Sequence, residues 1–377
     1  MLRITGLALA SFLLLGGTAD AQRSRVGVYP DWETNKHLSL ANEYEFEAYT
    51  PKNAFKSIDY PTFINNEQAK KSYDFNEVAV IVSVGREHKA YPLSMLLYHP
   101  VINDRIGGKA IAVTYCPLTD AVNVWRRDFV HKGMPREIDF SVSGLLRNSN
   151  TVLYDRVSES WWQQFTGKAM VGEFAGISLE PISSIRMTMG DFWNAYPYGL
   201  AVSPKAKDPV IPYGTTPYYK YDQAFREKPL FLRHMPDSPL MAMERVVGIE
   251  IIGKHIVYPF SEIEKMGALN DKPMDMFVTI FYQEGVKSAL DEKDISKSKS
   301  IGAIAAYSAF QSGQLLTFKK EGKLFKDEET GSLWRFDGTC IDGALKGEKL
   351  KPLKSQNSFA FAQMVFYPKS LIYNINW

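Results

Sequence analysis

VAVIVSVGREHKAYP at 78–92 and VVGIEIIGKHIVYP at 246–259 decide how the whole chain reads. Each is an alternating apolar run, a glycine turn, a second short run and a Tyr-Pro stop. A period of two broken by glycine is the pattern of a β-hairpin. Each is followed by a helix-like stretch and then a run ending on Val-Thr, at 110–114 and at 276–279. Further on, YDRVSESWWQQFTGKAMVGEFAGISLEP (154–181) faces FKDEETGSLWRFDGTCIDGALKGEKLKP (325–352), pairing Trp162 with Trp334, Gly172 with Gly343 and Pro181 with Pro352. Apart from the Val-Thr pair, which lies at 165, the offset between the two series drifts only from 167 to 172 residues. Ordered matches at a nearly constant offset read as a tandem duplication.

The duplication sets the expected organisation. Copy one spans 45–202, a connector 203–229, and a degenerate copy two 230–377, with an N-terminal arm at 22–44. The fold class expected is α+β and strand-rich: two tandem homologous domains, barrel-like or sandwich-like, with short helices. Helices are expected at 93–98 and 189–196 in copy one, among short β-branched and aromatic strands. Five prolines make the connector extended, because each lacks an N–H donor. Its Tyr213, Tyr218, Tyr219 and Tyr221 suggest that it packs on the domains. The polar run DEKDISKSKS at 291–300 reads as a solvated loop.

The chain opens MLRITGLALASFLLLGGTADAQ, with Arg3, an apolar stretch at 4–15 and an Ala19-Asp20-Ala21 cleavage pattern. That order predicts a signal peptide over 1–21 and a mature protein that is exported, periplasmic or extracellular. No cysteine lies near the cleavage point, which argues against a lipid anchor. No later stretch is long and apolar enough for a membrane span. In the 377 residues, 44 Lys and Arg against 42 Asp and Glu leave a net charge of +2, which argues against a nucleic-acid partner. With 45% apolar and 23% charged residues, the chain is globular and not disordered.

Three stretches in copy one carry a resemblance. They are AYPLSMLLYHPVINDRIGGKAIAVTYCPLTDAV (90–122), FSVSGLLRNSNTVLYDRVSESWWQQFTGKAMVG (140–172) and the Tyr-Pro near 196. Together they resemble the bacterial family catalogued as domain of unknown function 3179. Its hallmarks fall here on His99, Asn103 and Asp104; on Tyr115, Cys116 and Pro117; and on Asn148, Ser149, Asn150, Tyr154, Asp155, Arg156, Glu159, Ser160, Trp162 and Gln164. The resemblance implies no established activity. One departure matters: the family's second cysteine is Thr119 here, so C-x-x-C has become C-x-x-T. A role that needs two thiolates is thereby put in doubt.

Two constellations follow. Cys116, at a strand end before Pro117, and His99 form a candidate soft-metal site, with copper as the ion that thiolate and imidazole suit. The alternatives are a buried thiol packing as a small apolar group, or a disulfide to Cys340, the one other cysteine. Matching Val-Thr to Val-Thr places Phe281 opposite Cys116 in copy two, so whatever Cys116 does, its twin does not. The second constellation is Asn148, Ser149, Tyr154, Asp155, Arg156, Glu159 and Gln164, candidates for an ionic or polar ligand, with a carboxylate available as general base. Copy two keeps Asp327 and Trp334, which favours turn-fixing roles for Asp155 and Trp162.

No G-x-S-x-G or phosphate-loop pattern occurs. The leading expectation is a protein with a single ligand site in copy one, taking a soft metal or a small polar molecule. A metal- or thiol-assisted redox enzyme or hydrolase, and a non-catalytic structural or interaction module, are the alternatives.

Overall fold

The Tyr-Pro hairpins organise both halves of the chain. The computed structural model describes residues 32–35, 37–206, 208–223 and 228–374. The signal peptide expected at 1–21 and residues 22–31 of the arm lie outside these. Val78–Val84 pairs antiparallel with Glu87–Pro92, and Arg245–Ile251 with Lys254–Pro259. Around the first hairpin the strand order is Ser184–Thr188, Val78–Val84, Glu87–Pro92, Leu200–Val202, Phe63–Asn65. Around the second it is Ser355–Phe359, Arg245–Ile251, Lys254–Pro259, Leu371–Ile372. In both, the strand beyond the hairpin's second arm runs parallel to it.

Next comes a three-strand meander in each half. Val101–Ile106, Lys109–Cys116 and Ala121–Arg126 form one, with Ile58–Asp59 on its edge. Ala268–Asp271, Val278–Gln283 and Ala303–Ser308 form the other. A further sheet runs Phe46–Ala48, Phe140–Arg147, Asn150–Asp155, Trp161–Gln163, Ala169–Val171, and its counterpart runs Phe318–Glu321, Leu324–Asp327, Leu333–Trp334, Cys340–Asp342. The chain is α+β and rich in strands, as expected, with only short helices at Asn66–Ala69, Leu93–Leu96, Met189–Ala195, Phe260–Met266 and Ala360–Phe366 among the described residues. The largest apolar cluster draws on both halves, with Val80, Tyr115 and Phe165 joined to Phe281, Trp334 and Phe361.

Three expectations need correction. The helices at 93–98 and 189–196 are shorter, ending at Leu96 and Ala195. Pro197 disfavours helical backbone at Tyr196, which has left the helix at φ −130°, and beyond Leu96 the chain tightens into turns in which Tyr98 and His99 both donate to the Met95 carbonyl. The run at 291–300 is not simply solvated: Asp291 and Ser298 are buried, and Thr216 and Lys220 of the connector donate backbone N–H groups to Lys293 and Asp291. Finally, Phe281 stands opposite Ala268 as Thr114 stands opposite Val101. Strand register therefore matches Phe281 to Thr114, two residues from Cys116, and not to Cys116 itself.

Candidate functional site

Lys109–Cys116 is a buried central strand, and Cys116 is fully buried at its end. Pro117 opens a 3-10 turn over Pro117–Thr119, a position where its missing N–H costs nothing. Asp120 closes the turn in the left-handed region at φ 49°. Beside it, Asn148 and Ser149 sit at φ 51° and 63°, joining Phe140–Arg147 to Asn150–Asp155. Two successive positive φ values match the twist of a tight hairpin. The turn places the Ser149 carbonyl 3.8 Å from Cys116 Sγ, the one hydrogen-bond contact of that thiol among the described residues.

Cys116 forms part of the wall of a cavity of about 20 Å³, with Tyr49, Phe55, Pro100, Gly144 and Tyr218. Gly144 is needed here. At φ 82°, a Cβ on it would lie 2.1 Å from the Thr50 carbonyl oxygen. Its own carbonyl accepts from the Tyr49 and Thr50 N–H groups, so this close approach is what brings Tyr49 to the cavity. Tyr49 and Tyr218 are hydrogen-bond partners, and burial raises the pKa of both. Tyr221 donates to the Leu118 carbonyl at 2.9 Å, and Ser149 Oγ donates to the Leu230 carbonyl at 2.6 Å. The connector thus lies against the Cys116 turn.

His99 does not join this group as a metal ligand. Its Nδ1 is 2.9 Å from the Lys56 carbonyl and its Nε2 is 2.6 Å from the Tyr213 hydroxyl. Burial lowers its pKa, and a neutral ring that donates from Nδ1 to the carbonyl has Nε2 accepting from Tyr213. Neither nitrogen has a lone pair left for an ion, so the copper pair expected of Cys116 and His99 is not formed. Among the described residues, no three or more His, Cys, Asp or Glu side chains gather as a metal site. Cys116 and Cys340 are both free and buried, so the disulfide alternative is not formed either.

The polar candidates separate into four places. Asp155 accepts from the Val157 and Ser158 N–H groups and from Trp162 Nε1 at 2.9 Å, which makes it the centre of a turn. Arg156 is paired with Asp59 at 2.8 Å and donates to Ser141, away from Asp155. Glu159 is paired with Lys52, whose ammonium lies 4.1 Å from the Trp32 ring and 4.7 Å from that of Tyr154. Tyr154 donates to Asn53. Gln164 is the candidate that lies nearest the Cys116 turn, together with Ser149. Its Nε2 donates to Thr114 Oγ1 at 2.9 Å, and its Oε1 accepts from Asn150 Nδ2 at 2.8 Å. Asn150 also donates to Thr119 Oγ1 at 3.0 Å.

Residues 52–370 match the family model described as "Protein of unknown function (DUF3179)". The chain belongs to the DUF3179 family. No curated protein and no solved structure matches it. In this DUF3179 chain the hallmark residues divide by role. Cys116, Ser149, Asn150 and Gln164 meet at one turn, whereas Asp155, Ser160 and Trp162 close another. Thr119, which stands where the resemblance leads one to expect a second thiol, is an acceptor in the amide network.

Sequence reasoning missed the charges beneath this DUF3179 turn. Asp120 accepts from Arg186 at 2.9 Å, from Arg245 at 2.9 Å and from the Tyr115 hydroxyl at 3.1 Å. Burial works to raise its pKa, but the Arg186 and Arg245 guanidiniums hold the carboxyl below the ordinary carboxylate value. Arg245 also donates to Asp222 at 2.8 Å. Asp120 was visible as the residue ending the Cys-Pro-Leu-Thr run. Its partners lie 66 and 125 residues away, and no local pattern marks them.

Proposed function

We propose that this chain is an exported, duplicated binding protein whose single small-ligand site is the cavity at Cys116 in the first half. Export is supported by the order of the first 21 residues. Duplication is supported by matched register and chemistry. Tyr91 donates to Asp104 at 2.7 Å and Tyr258 to Asp271 at 2.9 Å. Trp162 donates to Asp155 and Trp334 to Asp327, at 2.9 and 2.8 Å. Contacts between the halves are reciprocal as well: Ser355–Phe359 lies against Ala121–Arg126, and Ser184–Thr188 against Ala303–Ser308. Such reciprocity is what a pseudo-twofold axis produces.

One observation carries the choice of site. Asp155, Arg156 and Glu159 are all held by internal partners, whereas the Cys116 thiol faces a cavity with one weak contact. A nucleophilic thiol is activated by an adjacent base or cation. The groups around Cys116 are instead tyrosine hydroxyls, a serine carbonyl and apolar walls, which suits binding better than catalysis. About 20 Å³ holds little more than one water-sized group. A soft ion such as copper fits by size but finds only one soft ligand. A small polar molecule needs the cavity to widen.

The test is the content of the protein as it is exported. Material purified from the export compartment is denatured, and released ions and small molecules are measured for wild type and Cys116→Ser. A stoichiometric species in the wild type that is absent from the variant is expected. Equal content in both, or none in either, contradicts the reading and leaves the structural or interaction module.

A further inference from the structure

The connector contributes Tyr218 to the cavity wall, and charge helps to fasten the connector. Residues 213–223 touch the first half on one side. Tyr218 is the partner of Tyr49 at the cavity, and Tyr221 holds the Leu118 carbonyl inside the Cys116 turn. On the other side the same segment bonds the second half through backbone N–H groups of Thr216, Lys220 and Asp222, received by Lys293, Asp291 and Leu290. Asp222 is fully buried. It accepts from Arg245 at 2.8 Å and from Ser288 Oγ at 2.5 Å, with Lys299 3.3 Å from its other oxygen. Arg245 in turn grips Asp120, which ends the Cys116 turn and is also held by Arg186.

The Cys116 turn, which forms one wall of the cavity, and the connector, which adds Tyr218 to another, are therefore joined by one ion ladder, Arg186–Asp120–Arg245–Asp222. We infer that this ladder is a latch holding the connector shut over Cys116, and that releasing its Asp222 end opens the cavity while the rest of the fold stands. The inference rests on Cys116 as the ligand site and names how access to that site is controlled. Removing one partner of a buried pair leaves the other charge uncompensated, which makes a single substitution a strong lever. The asymmetry of the ladder sets which part moves. Asp120 lies within a sheet-bound turn and is held by two arginines. Asp222 lies in a 3-10 turn of the connector, Tyr221–Gln223, and reaches Asp120 through Arg245, while the connector touches the first half through Tyr213 at His99, Tyr218 at Tyr49 and Tyr221 at Leu118.

Thiol labelling reads the latch directly. Wild type, Asp222→Asn and the milder Tyr221→Phe are exposed to N-ethylmaleimide, and the two cysteines are followed separately by peptide mass spectrometry. Cys340, buried elsewhere at the Cys340–Asp342 strand, reports opening of the whole fold. The latch predicts Cys116 labelling faster by about tenfold or more in both variants, with Cys340 unchanged, as local opening requires. Parallel acceleration of both cysteines, or no change at Cys116, overturns it. Should Asp222→Asn fail to fold, Tyr221→Phe decides the matter by the same criterion. No ligand takes part, so a working latch over a cavity that binds nothing would sink the ligand reading alone.

Discussion

Asp155 and Asp327 serve their tryptophans and their turns in the same way. Asp155 receives Trp162 Nε1 and the Ser158 N–H, and Asp327 receives Trp334 Nε1 and the Thr330 N–H. Asp155→Ala leaves a buried indole N–H and turn amides without an acceptor. We expect a loss of about 2–4 kcal/mol in chemical denaturation, with ligand content per folded molecule unchanged. A variant of full stability would remove the structural assignment. His99→Phe makes a complementary case. It deletes the acceptor of Tyr213 and the donor to Lys56, and should lower stability by about 1–3 kcal/mol. Elemental analysis should find its bound metal the same as in wild type, whereas a metal lost with His99 would restore the Cys116–His99 pair.

At the scale of elements, Gly144 shapes the cavity. It sits in the irregularity between Val142 and Leu146, where the strand register shifts. Gly144→Ala combines a strained positive φ with a Cβ driven against the Thr50 carbonyl, so the segment carrying Tyr49 has to retreat. We expect at least about 2 kcal/mol of destabilisation in urea titration, accompanied by faster Cys116 labelling. Unchanged labelling would show that the Tyr49 wall does not guard the thiol. Elements of this kind were unequally legible in the sequence. The hairpins at Val78–Pro92 and Arg245–Pro259 could be read because alternation and glycine turns are local. The match of Phe281 to Cys116 failed because it followed a shared Val-Thr pair of letters, whereas register is set by the residue across the strand. Gln164 and Ser149 were legible as candidates. Tyr49 and Asp120 were not named, and Asn150 only as a hallmark of the resemblance, because their importance comes from partners brought together only by the fold.

For the molecule as a whole, the ladder beneath the Cys116 turn joins both halves and the connector. Unfolding is therefore expected as one transition, and two separate transitions in calorimetry would contradict it. The ladder also fixes an acid limit. Asp120 has a folded pKa below its ordinary value near 3.8, so its contribution is complete above that value and is lost as pH falls through the folded pKa. Asp120→Asn leaves Arg186 and Arg245 underpaired and should cost about 3–5 kcal/mol at neutral pH. Stability of that variant should fall less steeply than wild type below about pH 4; an identical acid slope would mean that Asp120 is not the titrating group. The central claim, that function resides at Cys116, is tested most directly by the crystal structure of the protein isolated from its export compartment. We predict ligand density against Cys116 Sγ, with the connector at Tyr218 and Tyr221 shifted outward. A ligand seated elsewhere, with the Cys116 cavity still closed at about 20 Å³, would contradict the account.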